Sequence, residues 1–168
     1  LRWLRFLIGL LLALTLHSLL DNFFPNALAF FNPYIILVVY YSMGGNLFGA
    51  IIAGVTAGLV QDAFSGAIFG LHAFALTVCA YLVAYINSRL VLRGTLAFGL
   101  SLIGSVLLNE IVIYILVNIL LKQRIDLFEQ GVLVKTILTS IFGMLVYQML
   151  SLFLTEEPIE ATKRPTGW

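Results

Sequence analysis

Apolar residues come in long runs along this chain, and the polar positions between them fall in short clusters. The first run spans about Leu4 to Leu20 and closes at Asp21-Asn22. The next polar break is Asn32-Pro33, followed by an apolar stretch to Met43 and a Gly44-Gly45-Asn46 turn. Further runs cover about Leu47 to Asp62, Phe69 to Ser88, Thr95 to Leu121 and Val132 to Leu154. The long runs are each close to the roughly 20 residues a helix needs to cross a bilayer. Asn32-Pro33 predicts a helix start, with asparagine capping and proline in the first position. The residues from Pro33 to Met43 are too few to cross alone at about 1.5 Å per residue. The expectation is a second span of about Ala27 to Met43 with a disturbed start. The pattern predicts an all-α, polytopic membrane bundle of about six transmembrane helices in residues 1–154. Residues 155–168, with two prolines and clustered charge, form a polar tail expected to be disordered.

Composition agrees. The chain is 61% hydrophobic with a mean hydropathy of +1.06, and 10% of its residues are charged. A soluble domain carries about a quarter charged residues. The nine basic residues are nowhere clustered beyond a pair, so no phosphate-binding stripe for nucleic acid exists. Cys79 is the single cysteine and lies in an apolar run, which excludes an intrachain disulfide. His17 and His72 are scattered, without metal-ligand spacing. No Ser/His/Asp order, phosphate loop or paired carboxylate is visible, so neither an enzyme nor a cofactor is expected. Arg2 and Arg5 before the first run look like a signal-peptide flank. No small-x-small cleavage site follows, so a retained first helix is expected. Six spans put both termini on one side, with Arg2, Arg5, Arg89, Arg93, Lys163 and Arg164. Lys122, Arg124 and Lys135 lie opposite. The positive-inside rule then favours cytoplasmic termini and an outward-facing connection from Asp62 to Gly70.

One stretch is unlike the rest. In the third span Gly54 and Gly58 lie one helical turn apart, and Gly49, Ala53 and Ala57 make an adjacent ladder. Helices in lipid associate through close packing and interhelical hydrogen bonds, which small residues permit. Two readings stay open: a helix of the bundle core, and a groove for a partner's transmembrane helix. Asp62 follows at the span's outer end, placed to cap or to pair with Ser65 or His72. Glu110 lies near the middle of the fifth span. An acid at mid-bilayer costs on the order of 2.5–3.5 kcal/mol and needs a partner or a proton. Internal hydrogen bonding and contact with a partner or substrate are both open for it. Ser101, Ser105 and Asn109 could share a polar seam with Ser140, Gly143, Tyr147, Gln148 and Ser151 of the sixth span.

Asn32-Pro33 opening an apolar helix, then Gly54-x-x-x-Gly58-Leu59-Val60-Gln61-Asp62-x-x-Ser65-Gly66-x-x-x-Gly70-Leu71-His72, resembles the bacterial rod-shape-determining MreD family. The motif-quality likeness covers Pro33 to Tyr85. The rest matches in hydropathy, and Tyr34 stands where family members often carry an acid. The resemblance implies a multi-pass protein of the bacterial cytoplasmic (inner) membrane, non-enzymatic and part of the cell-wall elongation machinery. It implies a fold similar to the S-components of energy-coupling-factor vitamin transporters. It also implies binding to MreC and action with RodA, RodA's class B penicillin-binding partner and, indirectly, MreB. A homodimer is compatible with it. Gly54, Gly58, Asp62 and Glu110 are the candidate partner contacts, and Gln61, Ser65, Gly66, Gly70 and His72 the structural polar loop. The alternative function is a vitamin-binding S-component. Its docking motif in the first helix would be met only in part by Gly9-x-x-x-Ala13, and the segment from Asp62 to His72 would roof its pocket.

Overall fold

The structure, a computed structural model, describes residues 2–23, 30–44, 46–66, 68–90, 94–121 and 131–153. They form six helices: α1 (Arg2–Phe23), α2 (Pro33–Ser42), α3 (Leu47–Ser65), α4 (Leu71–Arg89), α5 (Thr95–Leu121) and α6 (Gly131–Phe153). No strand occurs among the described residues. Five of the helices are long and apolar enough to cross a membrane, whereas α2 has ten residues.

The expected six spans are thus five, plus one short apolar helix. The cause lies at Asn32. Its Oδ1 accepts from the backbone N–H groups of Tyr34 and Ile35 at 3.1 and 3.4 Å, which sets the start of α2 there. Pro33 fills the first turn, where a missing N–H leaves no bond unmade. Residues 24–29, where the expected second span would begin, lie outside the described residues. So do residues 122–130 and 154–168.

Short as it is, α2 is the hub of the bundle. Tyr34, Ile35, Val38 and Val39 are all buried, and α2 touches each of the other five helices. Around it α1 packs on α3, α3 on α4, α4 on α5 and α5 on α6. Among the described residues α6 and α1 share no contact, so the ring is open on that side.

The helices alternate in direction. Trp3 and Phe6 at the start of α1 meet Tyr41 at the end of α2, and His17 near the end of α1 meets Tyr34 at the start of α2. Phe98, early in α5, stacks on Tyr147, late in α6, with ring centroids 4.6 Å apart. Asn87, late in α4, donates its side-chain amide to the Met43 carbonyl after α2. The start of α1 and the end of α6 therefore lie at the same end of the bundle.

Candidate functional site

The polar residues singled out by the sequence gather at the opposite end, where α3 turns into α4. Asn46 begins α3 by accepting from the Gly49 N–H at 3.3 Å. Gly66 ends it with φ of 63°, and Gly70 precedes α4 with φ of 95°. Both are left-handed, a conformation glycine adopts without a Cβ clash.

Three residues before the end of α3, the Asp62 side chain is fully buried. Its Oδ2 accepts from the backbone N–H of Gly70 at 2.9 Å and of Ala73 at 3.1 Å. Its Oδ1 accepts from the His72 N–H at 3.0 Å and lies 2.8 Å from His72 Nδ1. The first turn of any helix carries N–H groups with no partner inside the helix. Here a carboxylate from the preceding helix satisfies them, at the positive end of the α4 dipole. Of the two pairings open to Asp62, the structure takes His72, while Ser65 turns to a neighbouring cleft.

Below this cap the small residues of α3 face α4. A Cβ on Gly54 would come within 2.7 Å of the Thr77 Cα and 2.8 Å of the Leu76 carbonyl oxygen. A Cβ on Gly58 would fall on the backbone of Ala73. Ala50, Ala53 and Ala57 are fully buried beside them. The glycine ladder is thus covered by α4 of the same chain. Gly9 and Ala13 instead serve the α1–α2 contact, where a Cβ on Gly9 would meet Leu37 Cδ1 at 2.5 Å.

Glu110 pairs with Lys135: Nζ lies 2.7 Å from Oε1, and both side chains are mostly buried. The Asn109 amide lies 3.5 Å from the same oxygen. Lys135 belongs to the second turn of α6, so the ion pair sets Glu110, near the middle of α5, level with that turn. The polar seam between α5 and α6 is buried as expected at Ser105, Asn109 and Ser140. Asn109 Oδ1 and Ser140 Oγ nevertheless have no hydrogen-bond partner among the described residues. Cys79 donates its thiol to the Ser105 carbonyl at 3.4 Å, a packing role.

What the sequence reading missed is a cleft of about 170 Å³. It is lined by His17 and Asp21 of α1, Phe31 to Pro33 at the start of α2, Gln61, Phe64 and Ser65 of α3, His72 of α4 and Lys135 of α6. These residues come from five helices, and no spacing along the chain announces their meeting. One signal was present: His17 and Asp21 are one turn apart on α1, hence on one face. Asn32 joins the wall to the floor. Its Nδ2 lies 3.5 Å from Gln61 Oε1, and its backbone N–H lies 3.4 Å from Thr139 Oγ1 of α6. Among the described residues no group of three or more His, Cys, Asp or Glu is arranged to hold a metal ion.

No protein-family model, curated protein or solved structure matches this chain.

Proposed function

We propose that this multi-pass membrane protein is a non-enzymatic scaffold of bacterial cell-wall elongation. In this reading it belongs to the MreD kind, sits in the inner membrane with both termini cytoplasmic, and holds the single transmembrane helix of MreC. Through MreC it joins RodA, RodA's class B penicillin-binding partner and MreB. The observation that carries the reading is the use made of Gly54, Gly58, Asp62, Gly70 and His72. The residues on which the resemblance rests act together as one clasp between α3 and α4. Both oxygens of Asp62 are engaged in that clasp, which suits a rigid platform and leaves no reactive carboxylate there.

The opening between α6 and α1 supports a place for the partner helix. Its floor is α2, whose last turn presents Tyr41 to Trp3 and Phe6 of α1 and Tyr40 to Tyr147 of α6. Tyr40 remains 38% exposed there. The test is photo-crosslinking in native membranes, with the reactive residue at Tyr40 or, on the far side of the bundle, at exposed Phe74 of α4. The expected product is an MreC adduct from position 40 and none from position 74. Absence of MreC from both the adducts and the co-purified material sinks the functional reading. Capture from position 74 alone sinks only the placement.

A further inference from the structure

We propose that the cleft between α1, α2, α3, α4 and α6 binds a primary ammonium group. The inference rests on the cleft alone and needs no particular role for the whole protein.

The charge balance comes first. The charged and titratable groups that line or back the cleft are Asp21, Asp62, Glu110, Lys135, His17 and His72. Of these, Asp21 and Lys135 line the cleft and cancel, while the carboxylates of Asp62 and Glu110 lie behind it, so with neutral imidazoles the sum over lining and backing groups is −2. The helix dipoles do not reverse this, because α1, α3 and α5 end where α2, α4 and α6 begin, and alternating ends cancel. An anion is disfavoured in such a place, and a cation favoured.

The hydrogen-bonding capacity agrees. Lys135 gives one of its three donors to Glu110, and Asp62 is filled by its four contacts. Asp21 is exposed, and among the described residues it has neither an ion pair nor a hydrogen bond. His17 is 92% buried by its 8% exposure, lines the cleft, and likewise has no hydrogen-bond partner among the described residues. His72, with Nδ1–H given to Asp62, keeps Nε2 as an acceptor. Asp21, His17 and His72 therefore offer three acceptors, and a primary ammonium carries three donors. The Phe31 and Phe64 rings form part of the wall, and aromatic faces attract cations. A space of this size suits a molecule on the order of benzene, roughly 150 Å³.

A primary ammonium could arrive on a free amine or on an ethanolamine lipid headgroup, since the cleft lies at one end of the opening between α1 and α6. Two arms separate these sources. In detergent, the melting temperature of the purified chain is followed with n-butylammonium chloride, with sodium butyrate and with sodium chloride at equal concentration. In nanodiscs, phosphatidylethanolamine is compared with phosphatidylglycerol. A saturable rise with n-butylammonium alone identifies a site for soluble amines. A rise only with phosphatidylethanolamine identifies a headgroup site. In either case Asp21→Asn should weaken the effect at least about tenfold, as expected for one charge-assisted hydrogen bond. Its own melting without ligand should be nearly unchanged, because Asp21 is exposed and makes no hydrogen bond or ion pair among the described residues. His17→Gln is the second variant and should weaken the same effect. Equal stabilisation by butyrate, no stabilisation in either arm, or a response that survives both substitutions overturns the proposal.

Discussion

The α3–α4 pair and the α5–α6 pair are both antiparallel hairpins of membrane-crossing helices, and they are held together by different physics. In the most apolar window of α3 and of α4, 44% of positions are buried; in α5 and α6 the share is 22%. In the first pair glycine lets two backbones touch, and the carboxylate of one helix completes the hydrogen bonding of the next. In the second, bulky side chains keep the backbones apart. Gly99 and Gly143 accept the Met144 and Leu102 side chains, and an ion pair ties one end. Lipid tails are as apolar as leucine, so size alone gives helices little reason to associate in a bilayer. The comparison shows two remedies in one molecule: removing side chain until dispersion contacts are dense, or adding charge that lipid cannot solvate.

The largest expected effect breaks the first remedy. Gly58→Leu should cost about 3 kcal/mol or more, since the new side chain meets backbone that has no rotamer to yield. Size-exclusion profiles in detergent and the melting temperature are the readouts. Gly104 of α5 is the matched control, because a Cβ there has nothing within 4 Å. Gly104→Ala should leave both readouts within about 1 kcal/mol of the parent, the size of the helix-propensity difference. Similar losses from both variants would mean that the close approach of α3 to α4 does not set the cost at Gly58.

Next in size is Asp62→Ala, which strands three backbone N–H groups and the His72 ring. A loss of about 2–4 kcal/mol is expected, with faster amide exchange concentrated at the first turn of α4. Asp62→Asn, which keeps one acceptor oxygen, should recover part of it. Unaltered exchange at Gly70, His72 and Ala73 would refute the cap.

The smallest effect sharpens the second hairpin. Glu110→Gln should cost about 1 kcal/mol, the scale of polar contacts between membrane helices. The double variant with Lys135→Met should be no less stable than Glu110→Gln alone, because it removes the unpaired ammonium. Additive losses in this cycle would show that the two side chains do not interact.

Much of the first hairpin was legible in the sequence, and little of the second. Gly54 and Gly58 recur at the helical period, so one face could be read directly. Asp62 four residues later sits on that face beside a turn, which made capping a natural reading. Glu110 has its partner 25 positions away, in the next helix, whose register against α5 no local pattern sets. Lys135 therefore reads as a charge flanking the polar stretch of sequence before it. The cleft was hidden for the same reason, since its lining comes from five helices. The length of α2 was half legible. Asn32-Pro33 marks its start plainly, but hydrophobic pattern alone cannot tell a short buried helix from part of a span.

The bond from the Asn32 N–H to Thr139 joins positions 107 residues apart, the second helix to the last. In a chain made from its N-terminus, α2 enters the membrane before this acceptor exists. At ten residues it reaches about 15 Å, half the hydrocarbon thickness. Asn32 caps α2 as soon as Tyr34 and Ile35 are made, but its tie to α6 waits for Thr139. A ribosome stalled before Thr139 would leave the central helix capped but without that latch, so α6 closes the packing around α2.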